Sequence, residues 1–186
     1  LAQFFKWYEQ AGTPHIAVSK RYDAKARIFD LTLEQRTAPT PGQALKQPMQ
    51  IPLRLGLVGP RGEDMVLDLE GIGKLNTPMI ELRQERQTFR FRNIMERPVL
   101  SLNRGFSAPV ILQDRQSAED QLFLMGHDAD TFNRWESGQT LGKDPIIASL
   151  NGFVGNHSLP STQGYAEAAT NPQEDTTRDG RTKATK

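Results

Sequence analysis

Residues 50–69 read QIPLRLGLVGPRGEDMVLDL, and the fold turns on this stretch. Ile51, Leu53, Leu55 and Leu57 alternate with Pro52, Arg54 and Gly56. That is the period-two pattern of a strand with one apolar face. Gly59, Pro60, Arg61 and Gly62 interrupt it, and Gly and Pro are the strongest turn formers. Met65, Leu67 and Leu69 then alternate with Val66 and Asp68. Two alternating runs around a short Gly/Pro turn predict a β-hairpin. A lone hairpin is marginal in water, so other strands must cover its apolar face.

The flanking sequence supplies them. Ile16 and Val18 alternate within residues 15–21, residues 22–26 turn the chain, and RIFDLTLEQR (27–36) sets Phe29, Leu31 and Leu33 against Asp30, Thr32 and Glu34. This predicts a second hairpin, apolar on one face and polar on the other. Residues 37–48 carry Pro39, Pro41, Gly42 and Pro48. Proline lacks the ladder donor, so this segment reads as a crossover loop between sheets. A loop is expected over 71–77, a weaker strand over 78–83, and a strong one at RQTFRFR (86–92). In that last run the arginines and phenylalanines point to opposite faces, which separates a solvated side from a core side and argues against a nucleic-acid platform. Val99, Leu100 and Leu102, then Val110 and Leu112, complete about seven strand candidates spaced by turns, the signature of an all-β sandwich.

Helical character brackets this region. Residues 2–10, AQFFKWYEQ, could set Phe4, Trp7 and Tyr8 on one helix face, and their expected role is packing. Gly12 and Pro14 stop that element. Ser117 followed by Glu119 and Asp120 marks a helix start, since serine caps and the acids complement the helix dipole. A second helix is expected over 131–141 and is read as broken by Gly142 and Pro145. From residue 156 onward Leu159 and Tyr165 are nearly the only apolar residues. Such a segment buries too little to offset its chain entropy and is expected to be disordered.

Composition narrows function. The chain has 186 residues, 23 basic and 22 acidic side chains, and a formal net charge of +1. That balance exerts no whole-chain pull on nucleic acid or an anionic membrane. There is no cysteine, which excludes disulfides and thiolate chemistry and fits a reducing, cytoplasmic compartment. No apolar run approaches the roughly 20 residues of a membrane span. No basic segment leads into an apolar core as in a signal peptide, and the first residue is Leu1, so the chain reads as cut from something longer.

The residues give little chemistry. The three histidines are His15, His127 and His157, no two of them four apart, so the zinc helix His-Glu-x-x-His is missing. His15 is expected at the surface. His127, Asp128 and Asp130 could be imagined around a metal, but the expected role is capping at a helix break. Asp23, Asp30 and Glu34 fall on a solvated face and form no acid–base pair. Neither a Gly-x-Ser-x-Gly elbow nor a phosphate-binding glycine loop occurs.

Six segments in order nevertheless resemble one family. FKWYEQAGTP (5–14), QRTAPTP (35–41), KQPMQIP (46–52), QTF (87–89), RGFSAPV (104–110), and HD (127–128) with FNRWE (132–136) are similar to the corresponding runs of bacterial aminopeptidase N, the zinc alanyl aminopeptidase. Together they cover roughly residues 4–139. The resemblance implies a region that follows a thermolysin-like catalytic domain: a small immunoglobulin-like antiparallel sandwich entering a C-terminal helical domain. The family's zinc motif, further zinc-binding Glu and Gly-x-Met-Glu-Asn motif have no matching positions. Residues 93–97, NIMER, lack the glycine and end in Arg97. So no catalytic, cofactor-binding or metal-binding residue carries over, and zinc is expected only in the parent enzyme.

The expectation is therefore mainly β. It comprises a connecting segment (1–14), a sandwich of about seven strands (15–116), two short helices opening a truncated helical domain (117–150) and a disordered tail (151–186). The expected role is a non-catalytic spacer whose partners are the parent's catalytic and helical domains, with neither nucleic acid nor membrane as partner. An independent immunoglobulin-like binding module is the alternative. A peptidase in its own right is disfavoured by the missing zinc motif. The core is expected to contain Leu31, Leu33, Leu53, Leu55, Phe89, Phe91 and Val110.

Overall fold

A computed structural model describes residues 2–156, with side chains described through 143. The chain divides into two compact units, Leu1–Asp144 and Pro145–Lys186, and every described strand belongs to the first. The elements are α1 (Ala2–Glu9), β1 (Pro14–Asp23), β2 (Ile28–Thr37), β3 (Ile51–Val58), β4 (Asp68–Leu69), β5 (Gly73–Lys74), β6 (Met79–Leu82), β7 (Arg86–Arg92), β8 (Val99–Leu102), a 3-10 turn (Arg104–Phe106), β9 (Ile111–Gln113), α2 (Ala118–His127) and α3 (Thr131–Asn156).

Two sheets face each other. One has the order β5-β4-β7-β2-β1-β9 and the other β6-β3-β8. The β1–β2 hairpin forms as its alternation predicts, with Val18 opposite Leu33 and Tyr22 opposite Phe29. The proline segment after β2 carries the chain from the larger sheet to the smaller one. Between the sheets, alternating residues of β2, β3 and β7 interleave with Ile16, Ile80, Leu100 and Val110. All seven expected core residues are buried. On the outer face of β7, Arg90 donates to both oxygens of Asp30 across the strand pair, as the separation of Phe and Arg faces requires.

The stretch 50–69 departs from expectation. Its first arm is a strand, but its second arm does not pair with it beyond the turn. Val58 bridges Asp64, and the Met65 amide donates to the Leu57 carbonyl at 2.8 Å. The chain then crosses to the other sheet, where Asp68 lies opposite Arg92 and Leu69 opposite Phe91. Both edges of β3 are taken, by β6 and β8. Alternation specifies which face is buried, not which strand sits alongside. Leu67 and Leu69 are buried and Val66 is exposed, so the pattern is satisfied in the opposite sheet.

Other differences are local. The segment 71–77 holds the two-residue strand β5. With β4 equally short, nine strands are described where about seven were expected. The β9–β1 pairing is parallel, because β9 is reached by a crossover from β8 in the other sheet. Of the N-terminal aromatics only Trp7 packs on the core; Phe4, Phe5 and Tyr8 are exposed and touch one another. Helix α2 begins where predicted, with the Ser117 hydroxyl accepting from the Asp120 amide. Helix α3 does not stop at Gly142 but runs through Pro145 to Asn156, so residues 151–156 are helical rather than tail. A proline deletes one ladder hydrogen bond without having to end a helix. After it, Ile147, Leu150 and Val154 resume helical spacing. The disorder expected beyond 156 lies outside the described residues.

Candidate functional site

The most elaborate polar arrangement is built where the sandwich meets α2 and α3. It begins with a backbone device. Asn103 and Phe106 adopt left-handed φ values of 59° and 50°, and Gly105 lies between them at 61°. The Asn103 amide oxygen accepts from the Ala108 amide and the Ser107 hydroxyl, and its Nδ2 donates to the Ala108 carbonyl. Asn tolerates this conformation by bonding locally, as here. The Ser107 hydroxyl also accepts from the Arg54 amide, stapling the turn to β3. This tight loop sends Arg104 inward and Phe106 outward.

Arg104 lies over Gly56 of β3. A Cβ at Gly56 would sit 2.1 Å from the guanidinium carbon, so only glycine leaves the space. That explains why the outer face of β3 is buried at Gly56 although alternation points it to solvent. The guanidinium donates from Nε to the Ser101 hydroxyl at 3.0 Å, and from Nη1 and Nη2 to the two Asp64 oxygens at 2.7 and 2.8 Å. Nη2 also lies 2.9 Å from Oδ1 of Asp128, whose side chain is fully buried. Burial opposes the charge of Arg104. The Asp64 hydrogen bonds and the charges of Asp128, Asp64 and Asp130 outweigh it and hold the group above arginine's ordinary value.

Asp128 and Asp130 span the break between the helices. The Asp128 amide caps α2 by donating to the Leu124 carbonyl, and its Oδ1 accepts from the Asp130 amide. Asp130 in turn accepts from the Asn133 amide at the start of α3. Asn133 Nδ2 reaches back to the Ser101 hydroxyl and the Leu102 carbonyl of β8. One arginine and one asparagine thus tie the smaller sheet, the 59–64 turn and the α2–α3 corner together. Beside this junction a groove of about 440 Å³ runs between β8, β9 and the helices, lined by Leu102, Val110, Leu112, Leu124 and Phe132.

The residues weighed in the sequence for chemistry are dispersed. His15 sits beside Gln113, and His127 stacks on Phe123 at 4.7 Å between ring centres. His157 lies outside the described residues. Asp23 accepts from the amides of Lys25 and Ala26 in its own turn, Asp30 pairs with Arg90, and Glu34 is exposed. In the 93–97 segment, Asn93 donates to Asp68 and Arg97 pairs with Asp120. The zinc of the resembled enzyme needs converging nitrogen and carboxylate donors. Among the described residues no three His, Asp or Glu side chains are grouped to hold a metal, so this donor set does not fit zinc. Asp128 and Asp130 serve as caps, as expected. Local pattern does not single out Arg104 as functional, although Gly56 within a leucine-rich strand is a sign of close approach.

The fold is an immunoglobulin-like sandwich tied through a buried arginine to a helical corner. The chain belongs to the family described as a domain of unknown function with an Ig-like fold (DUF3458), whose model matches residues 12–115. A companion model described as ARM repeats (DUF3458_C) matches residues 118–185. The chain is 38% identical to aminopeptidase N of Escherichia coli (strain K12) over 141 residues, 76% of this chain and 16% of that protein. It is 45% identical to aminopeptidase N of Caulobacter vibrioides over 152 residues, 82% of this chain and 17% of that protein. The crystal structure of Legionella pneumophila aminopeptidase A in complex with aspartic acid superposes with a TM-score of 0.63 at 28% identity, covering 89% of this chain and 17% of that one. The chain therefore corresponds to a region of aminopeptidase N and spans less than a fifth of these relatives. Among the described residues no helix is long and apolar enough to cross a membrane.

Proposed function

We propose that this chain is the non-catalytic spacer of an aminopeptidase N-type zinc metallopeptidase, wedged between a catalytic domain and a C-terminal helical domain. In this reading the parent enzyme removes N-terminal amino acids from peptides. Zinc and the acid–base groups reside in the catalytic domain, and the cysteine-free sandwich works in the cytoplasm.

One observation carries the reading. The large exposed aromatic side chains, apart from Phe106, lie on the elements that flank the sandwich in sequence: Phe4, Phe5 and Tyr8 on α1, and Phe132 and Trp135 on α3, while exposed aliphatic residues such as Leu45, Val66 and Ile72 are spread over the sandwich. Tyr8 is 78% exposed and Trp135 55%. Surfaces of this kind mark contacts with other protein. A free-standing recognition module would concentrate its aromatics at one end of the sandwich. Here they lie on both flanking elements, as a spacer between two domains requires.

Reading the gene on both sides tests this. A His-Glu-x-x-His coding segment upstream and a helical domain downstream are the expected finding. A start codon at residue 1 and a stop after Lys186, with neither neighbour, would overturn it. Activity supplies a second test: the purified 186-residue chain with added zinc should release no amino acid from an alanyl anilide, and turnover there would refute the non-catalytic assignment.

A further inference from the structure

We propose that residues 40–50 form a clamp that caps the C-terminus of α1 from a distance and holds this helix on the sandwich as a preordered element. Eight residues make a helix that is unstable by itself in water. No acidic residue occupies the first turn of α1 to favour its dipole. What orders it must come from outside.

The proline crossover supplies that order. Gln43 is held in its own turn by reciprocal backbone bonds with Thr40. Its side-chain Nε2 donates to the Glu9 carbonyl at 2.6 Å, and its Oε1 accepts from the Ala11 amide at 2.8 Å. The Glu9 carbonyl is one of the last in α1, which no intrahelical amide can reach. Lys46 donates to the Ala11 carbonyl, to Thr40 and to the same Gln43 oxygen, which sets a cation at the negative end of the helix. Gln10 and Gln47 add a reciprocal pair: the Gln10 side chain accepts from the Gln47 amide at 2.6 Å and donates to the Gln47 carbonyl at 3.0 Å. Along the helix, Trp7 Nε1 donates to the Gln50 carbonyl, and Gln3 donates to the carbonyls of Arg83 and Pro48.

The bonds thus run from α1 and Gln10 into backbone groups of the crossover and of Arg83, and back from crossover side chains into the backbone of Glu9 and Ala11 at the end of the helix. Prolines at 39, 41 and 48 stiffen the crossover, since their φ angles are fixed. Clamped this way, α1 presents Phe4, Phe5 and Tyr8 outward before anything covers them, and the ordering entropy is already spent when a partner arrives. The clamp stands whether or not the chain is a spacer.

Amide hydrogen exchange on the 186-residue chain tests it. The α1 amides are expected to exchange at least about tenfold more slowly than unstructured peptide. Gln43→Ala removes two bonds to the end of α1 and a third from Lys46, and should accelerate the α1 amides about tenfold while the β2 and β7 amides stay protected. Lys46→Met should accelerate them about threefold by removing the cation, and it serves as the second probe if Gln43→Ala does not fold. Three results would overturn the clamp: α1 exchanging at the unstructured rate in the wild type, α1 remaining slow in both variants, or α1 and the strands losing protection together in both.

Discussion

Arg104 shows how much one side chain can decide. Its planar fork engages Ser101, Asp64 and Asp128 at once, a geometry that lysine cannot reproduce. Removing it leaves Asp128 buried and unpaired, and one Asp128 oxygen already has no partner. Arg104→Met is therefore expected to cost about 3–5 kcal/mol in urea unfolding, and Arg104→Lys should recover only a minor part. Asp64 is 43% exposed, so Asp64→Asn should cost under about 1 kcal/mol. Gly56→Ala must displace the guanidinium and should cost about 1–3 kcal/mol. The pH dependence follows from the direction of the shift. Arg104 stands higher in the folded state than unfolded, so its contribution is complete below arginine's ordinary value and fades only as pH rises through the raised one. The stability gap between wild type and Arg104→Met should then stay constant between about pH 6 and about pH 10. A gap that shrinks within that window would show that the charge of Arg104 is not what holds the junction.

At the scale of elements, β3 is the member that everything else meets. It is central in the smaller sheet, faces β2 and β7 across the core, and carries the turn that delivers Asp64. Leu55 is fully buried at its middle, and Leu55→Ala should cost about 2–5 kcal/mol. An unchanged melting temperature would remove β3 from the core. The second arm of the expected hairpin has its Gly/Pro turn and its alternation, yet it joins the opposite sheet. A turn brings two segments near each other, and the strands competing for the edges of β3 decide what pairs. In the same way the expected break at Pro145 rests on local propensity alone, and the helix passes through it.

For the whole molecule, the uneven placement of apolar surface is the main property. The sandwich exposes scattered aliphatic side chains such as Leu45, Val66 and Ile72, while the exposed aromatics gather on α1 and the α2–α3 corner. Two consequences can be measured on the isolated chain. It should bind a dye that reports apolar surface, and it should self-associate with rising concentration in sedimentation. Phe5→Ser combined with Trp135→Ser should weaken both while leaving the melting temperature nearly unchanged, since neither side chain is in the core. If dye binding persisted undiminished, the exposed surface would have to lie elsewhere.

What the sequence determined by itself was what short-range periodicity and side-chain chemistry can encode. The positions of the longer strands, their buried faces, the solvated arginine face of β7, the Ser117 cap and the absence of a His-Glu-x-x-His motif all follow from residues within a few positions of one another. Six short motifs, read in order, also gave the family. Tertiary structure alone decided which strands lie side by side, that β9 runs parallel to β1, and that Arg104 reaches Asp64 and Asp128 across 40 and 24 positions of sequence. Pairing and burial of charge depend on which distant groups compete for one place in space, and no local pattern carries that information.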